Sequence, residues 1–536
     1  FAELAREVRL VKQRFSSDDA DTQPFLVRGL KVEVIDRQKP TRNVSLRETI
    51  TSLGPDLPEA YQQGLEIVFD AFSNLWKSDD PRLAGFQTRS LTNGLRAWAG
   101  IEHQPLAIAA QTGSGKTEAA ILPMIAGALG DKLLGRQGVK AILAYPRIRL
   151  VANQAQRLAY YLSACSQVEG APALTLGMQT GDVPKHFDLN DQNFKNYHAD
   201  TWEQDGAKGL KFPFFDCPVT TCDHSLHLKP GQGQDGADLL HCTQCGWKFR
   251  GWVGSKNGLC TTPPDFFLPT TDSLHQWLHT PAYGILFGDD PKFAAPRAIL
   301  ADEIHLYTHI HGAQVGMMLR RLVGRCESNA RNGEKVLAIG MSATIGDPAK
   351  AWGRLIGHEN VLVIQPETDE LDHNPRGREY FYDSLDKMRR LHSAYIDAED
   401  TRNLASLRTV NFGDDLSGNP LEKCCGNPLA CDQFTDGECW WFAANDPQQW
   451  GADGYRQVGT SLKVARQTVS SKATGRVEDL IRKSDIVFTT SSLEVGYDDP
   501  DISLVYQHYS PLNLASFVQR KGRGGRGTDD RPITGV

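Results

Sequence analysis

The sequence predicts an α/β chain, and two stretches carry that prediction. "PLAIAAQTGSGKTEAAILPMIAGAL" (residues 105–129) reads as an apolar strand, a glycine turn and a long apolar helix. "RAILADEIHLY" (297–307) reads as a short buried strand ending in two carboxylates. Between them, "DCPVTTCDHSLH" and "HCTQCGWKF" hold four cysteines at metal-ligand spacing.

The first stretch has the form of a phosphate-holding loop. Gly113 and Gly115 let backbone N–H groups curl round an anion, with Thr112 before them and Ser114 between them. The helix that follows offers its positive end. Lys116 then reaches the β and γ phosphates of ATP, and Thr117 holds Mg²⁺. The strict pattern G-x-x-x-x-G-K-[ST] is not met, because Ala110 stands at its first glycine. A glycine turn that binds nothing is the alternative. In the second stretch, Asp302 suits the Mg²⁺ shell and Glu303 suits a base for the attacking water. Alone, the pair reads equally well as the acidic start of a helix. Both stretches in one chain favour the nucleotide site.

The cysteines form a C-x4-C and a C-x2-C pair, nineteen residues apart: Cys217, Cys222, Cys242 and Cys245. Two such turns present four thiolates to Zn²⁺ in a closed, structural site. His224, His227 and His241 are alternative ligands. A second group, Cys424, Cys425, Cys431 and Cys439, suits zinc, an Fe–S cluster or free thiols. Cys165, Cys260 and Cys326 read as core residues.

Bulk composition bounds the rest. The 536 residues leave room for about two to four domains. A hydrophobic content of 40% allows large cores and excludes a disordered chain. The net charge of -7 provides no general attraction for nucleic acid, so any such contact needs a local groove. "FAELAREVRLVKQRF" alternates charges and is no signal peptide. "AAILPMIAGALG" has about half the roughly 20 residues a membrane span needs. A soluble, cytoplasmic protein is expected, lacking its native start.

Further stretches follow in order. They are "FQTRSL" (86–91), "AYPRIRLVANQAQRL" (144–158), "QTGD" (179–182), "PPDFFLPTTDSL" (263–274), "DEIH" (302–305), "MSATIGDP" (341–348), "RTVNFGDD" (408–415), "IVFTTSSLEVGYDDP" (486–500) and "FVQRKGRGGRG" (517–527). Together with the phosphate loop, this set resembles the motifs of superfamily 2 DExH-type helicases over about residues 81–530. The resemblance implies an α/β fold of two tandem RecA-like domains with a zinc-ribbon insertion in the first. It implies an N-terminal accessory segment (1–80), a first domain (81–365, insertion about 200–262) and a second (366–536, Cys-rich insertion about 420–450). ATP would lie between the domains. Gln87 would read the adenine and Asp498 would join the nucleotide site. Gln519, Arg523 and Arg526 would act on the phosphates from the second domain. His305, Ser342 and Thr344 would couple hydrolysis to a strand held by Arg147, Arg157, Thr180, Gly181, Thr270, Thr271 and Thr490. Such phosphate contacts carry no base information.

The stretch 491–527 is similar, more narrowly, to the DrmA-type helicases of bacterial DISARM anti-phage systems, with DpdJ-type helicases as competitor. A DISARM-like protein would act on DNA with a DrmB-type partner subunit. A DNA motor, an ATP-gated nucleic-acid clamp and an RNA remodeller all fit the motifs. After "FVQRKGRGGRG" only ten residues follow Arg526, of which "PITGV" begins a strand. A strand left uncovered there suggests a longer natural chain.

Overall fold

The structure, a computed structural model, describes residues 39–372 except 112, 223, 344 and 345, six strand segments between 30 and 535, and residues 502 and 520. The chain divides into two compact units, residues 38–375 with 494–536, and residues 1–37 with 376–493. Residues 38–80 fall within the larger unit.

The smaller unit contains β1 (Leu30–Asp36), antiparallel to the strand Arg378–Ser384. It also contains a parallel pair, Val464–Arg466 with Ile486–Phe488. In the larger unit, "PITGV" does form a strand, and Ile533–Gly535 runs parallel to Leu504–Tyr506.

The larger unit is built on one eleven-stranded sheet. A short antiparallel pair, β2 (Arg42–Ser45) and β3 (Arg82–Ala84), lies outside it. The sheet strands are β4 (Leu106–Ala109), β5 (Ala141–Ala144), β6 (Leu176–Gln179), β7 (Leu210–Asp216), β8 (Ser225–Lys229), β9 (Asp238–His241), β10 (Lys248–Val253), β11 (Phe266–Pro269), β12 (Ala298–Ala301), β13 (Leu337–Ser342) and β14 (Leu362–Ile364). Their order is β14-β4-β13-β12-β5-β11-β6-β10-β9-β8-β7. Every pairing from β14 to β10 is parallel; β10 to β7 is an antiparallel meander. Runs such as "AILA" at β5 and β12 are buried at every position, as a sheet covered on both faces requires. The cysteine-bearing insertion is therefore a continuation of the central sheet.

Five helices matter to the site: α1 (Leu46–Leu53), α2 (Glu59–Trp76), α3 (Gly85–Trp98), α4 (Lys116–Leu133) and α5 (Ile148–Cys165). Helix α4 is buried nearly all round, with small residues where its neighbours cross. A Cβ on Gly127 would stand 2.4 Å from the Trp98 ring of α3, and one on Gly130 would stand 2.2 Å from Tyr61 of α2. At that end, the buried Asp131 accepts hydrogen bonds from Tyr61 Oη (2.8 Å) and Trp98 Nε1 (3.3 Å). The N-terminal helices thus clamp the far end of the helix that follows the phosphate loop.

The N-terminal ends of the strands hold a buried ionic group. Asp265 accepts from Lys140 Nζ (3.1 Å), Thr175 N–H (2.8 Å) and Thr175 Oγ1 (2.9 Å), and Lys132 Nζ lies 3.4 Å away. Every donor that Asp265 needs is present, so the charge is tolerated.

Candidate nucleotide and strand site

The C-terminal ends of the parallel strands carry the candidate residues, the position where ligands bind in open α/β sheets. The phosphate loop leaves β4, Asp302 follows β12, Ser342 ends β13, and Tyr145 follows β5. Gly113 and Gly115 adopt φ of 80° and 89°, so the loop turns in a way that a side chain at either position would strain. Ser114 Oγ donates to the Gln111 carbonyl at 2.6 Å and closes the turn. Lys116 and Thr117 open α4.

Gln87, buried at the start of α3, uses both ends of its amide locally. Its Oε1 accepts from Ala84 N–H (2.9 Å) and its Nε2 donates to the Gly115 carbonyl (3.0 Å). It therefore holds the phosphate loop directly.

Asp302 is buried. Burial and the neighbouring Glu303 push its carboxyl up, against Lys116 and Arg157. Glu303 has φ 50°, a left-handed conformation that costs a non-glycine residue on the order of 1 kcal/mol. The strained backbone places Glu303 Oε2 3.4 Å from His305 Nδ1. His305 Nδ1 lies 2.9 Å from Ser342 Oγ, joining the β12 and β13 ends.

The structure brings two further groups here that the sequence did not single out. The hydroxyls of Tyr145 and Tyr307 are buried and have no hydrogen-bond partner among the described residues. Burial, then Asp302, raises the pKa of both phenols. Tyr145 also bridges strands through its backbone: its N–H donates to the Pro269 carbonyl (3.2 Å) and its carbonyl accepts from Thr271 N–H (3.0 Å). A tyrosine at the end of a buried strand, beside "PR", was the available signal.

The expected strand contacts divide. Arg147 and Gly181 are exposed. Thr180, Thr270 and Thr271 are buried, and Thr270 Oγ1 caps the helix Thr271–His279 by accepting from Ser273 N–H at 3.2 Å. Arg157, expected on the strand-binding face, approaches α4. Its Nη1 lies 3.6 Å from Glu118 Oε1 on α4, which Tyr161 Oη also reaches at 2.9 Å, so it faces the phosphate-loop helix. Thr112, Thr344, Thr490, Asp498, Gln519, Arg523, Arg526, Cys424, Cys425, Cys431 and Cys439 lie outside the described residues.

The four ribbon cysteines converge. Their sulfurs lie within 4.8 Å of one another, with Cys217–Cys245 at 3.5 Å and Cys222–Cys242 at 3.6 Å. A tetrahedral Zn²⁺ site has sulfur separations of about 3.8 Å, so the donor set and its size fit zinc. Of the alternative ligands, His227 pairs with Asp205 (2.9 Å) and His241 with the Lys208 carbonyl (2.9 Å). His224 Nδ1 sits 3.7 Å from Cys222 Sγ. The ribbon is fastened to α5, with Trp247 Nε1 donating to Ser163 Oγ (3.1 Å) and Gln156 Nε2 to the Asp216 carbonyl (2.9 Å).

Comparison with known proteins gives the class. Residues 87–188 match the DEAD/DEAH box helicase family and residues 457–528 match the helicase conserved C-terminal domain. Over 305 residues it is 26% identical to the Lhr helicase/uracil glycosylase of Escherichia coli (strain K12), covering 50% of this chain and 18% of that protein. Over 294 residues it is 25% identical to the Lhr helicase/probable uracil glycosylase of Mycolicibacterium smegmatis, with the same coverage of each. Its fold is similar to that of the DUF1998 helicase MrfA, crystallised with DNA and AMPPNP: TM-score 0.51, 16% identity, 94% of this chain and 52% of that chain. The chain thus corresponds to part of each of these longer proteins. Among the described residues, no helix is long and apolar enough to cross a membrane.

Proposed function

We propose that this chain is an ATP-dependent helicase or translocase that acts on DNA without sequence preference. One observation carries the reading: adjacent parallel strands deliver the Lys116 loop, the Asp302–Glu303 pair and the His305–Ser342 bond to one end of one sheet. Phosphoryl transfer needs positioning and charge neutralisation, and this end supplies both. Lys116 neutralises phosphate charge, Thr117 and Asp302 are the Mg²⁺-side ligands, and Glu303 takes the proton of the attacking water. Gln519, Arg523 and Arg526 belong to the C-terminal helicase match; the two arginines complete the charge compensation, and Gln519 contacts the γ-phosphate or the attacking water. Arg147 and the backbone at Gly181 are the exposed groups offered to a phosphate backbone.

DNA is favoured over RNA by the likeness to MrfA, which was crystallised bound to DNA. Cys217, Cys222, Cys242 and Cys245 would hold Zn²⁺, which would supply a structural cross-link rather than chemistry. The anti-phage role and a DrmB-type partner rest on the sequence of residues 491–527 alone. The test is ATP turnover by the purified chain with single-stranded DNA, duplex DNA and RNA, joined to a strand-displacement assay. Turnover stimulated by RNA only would replace the DNA reading. Stimulation by DNA without displacement or movement would make the protein a clamp.

A further inference from the structure

Residues 365–372 follow the last sheet strand, just before Pro375, where the continuous stretch of the larger unit ends. This exit segment is fastened to α3, the helix that carries Gln87. Glu370 makes the fastening. Its carboxylate pairs with Arg89 through Nη1 and Nη2, the latter at 3.1 Å, and accepts from Glu367 N–H at 3.0 Å. Arg89 Nη2 also donates to the Gln365 carbonyl at 2.8 Å. The Glu370 carbonyl accepts from Thr41 N–H at 2.8 Å and from Thr41 Oγ1 at 3.0 Å.

The carboxylate sits against the first turn of α3. A Cβ on Gly85 would stand 1.9 Å from Glu370 Oε1. Burial raises the Glu370 carboxyl, but Arg89 and the N–H groups of Glu367 and Phe86 outweigh it and hold it below its ordinary value. A negative charge at a helix N-terminus is favourable. Gln87 projects from this same turn and donates to the carbonyl of Gly115, next to Lys116.

We infer that Glu370 is a positioning residue for the phosphate loop, acting through the α3 N-terminus and the Gln87–Gly115 hydrogen bond. The inference rests on the nucleotide reading above. It also links the loop to the exit segment, because Glu370 belongs to that segment and its carboxylate lies against the first turn of α3.

The test is calorimetric binding of Mg·ATP and of magnesium tripolyphosphate to the full chain. Wild type and the Lys116→Ala, Glu370→Gln, Gly85→Ala and Gln87→Ala variants are compared. Glu370→Gln should weaken both ligands on the order of tenfold, the worth of one charge-assisted hydrogen bond. Gly85→Ala should do the same by displacing the carboxylate sterically, although alanine is the better helix former. Glu370→Gln added to Gln87→Ala should cost no more than Gln87→Ala alone, since the two act in series. A Glu370→Gln protein that binds both ligands as wild type does, while Lys116→Ala binds neither, would overturn the inference and leave the nucleotide reading intact. A fall in melting temperature with unchanged affinities would also overturn it. Wild type that binds neither ligand would sink both.

Discussion

His305 and Ser342 are 37 positions apart in the chain, yet their side chains meet at 2.9 Å, Nδ1 to Oγ. The bond ties the loop after β12 to the last residue of β13. It gives a shift at Glu303 a path to the neighbouring strand, since Glu303 Oε2 lies 3.4 Å from the same nitrogen. Ser342→Ala should therefore lower the ratio of DNA-stimulated to basal ATP turnover several-fold. Turnover measured with and without single-stranded DNA checks this, and an unchanged ratio would remove the bond from the coupling path.

Lys116→Ala should abolish ATP hydrolysis and keep the far-ultraviolet circular dichroism of wild type. Glu303→Gln should bind Mg·ATP and fail to turn it over, because the amide cannot take the proton of water. Hydrolysis near the wild-type rate by either variant would dissolve the assignment of the site.

Glu303 also stores strain. Glycine at this position adopts φ 50° without steric cost. Glu303→Gly should be inactive and about 1 kcal/mol more stable toward urea, the strain released. A less stable Glu303→Gly protein would mean that the side chain contributes more to folding than its backbone costs.

Much of this site was legible in the sequence, for physical reasons. Short apolar runs such as "LAIA" and "AILA" have one comfortable place, a parallel sheet buried on both faces. Groups that follow such runs then fall at strand ends. Side-chain environments beyond the strands were less legible. Thr270 caps a helix, and whether a threonine also meets a ligand depends on local turns. Arg157 sits on α5, and Glu118, its partner, is 39 positions away on α4. The Glu370–Arg89 pair spans 281 positions and leaves no pattern in a single chain.

The Lys140–Asp265 pair is a similar long-range surprise, and it is testable. Both residues are almost wholly buried. Asp265→Asn would leave Lys140 without its counter-charge, a loss of about 3 kcal/mol or more in unfolding free energy. Adding Lys140→Met should recover a large part of that loss. Urea unfolding of the single and double variants measures both, and a neutral Asp265→Asn would show that Lys140 folds uncharged.

Purified protein should carry one equivalent of zinc on Cys217, Cys222, Cys242 and Cys245, read by elemental analysis. Cys242→Ser with Cys245→Ser should lose it and expose β7–β10 to protease, because metal binding and local folding are linked. Metal-free wild type of normal stability would end the zinc assignment.

The placement of that ribbon bears on how the chain survives its own synthesis. Strand β6 would be the rim of the parallel sheet if β10 did not pair with it. An unpaired rim is a template for association with other copies. The ribbon moves the rim out to β7, whose Pro213 cannot donate a hydrogen bond and whose Lys211 is exposed. Supply of metal during translation would then govern how much chain escapes precipitation, well before any question of turnover arises. A host grown with a chelator should yield inclusion bodies, and zinc added after lysis should not recover them.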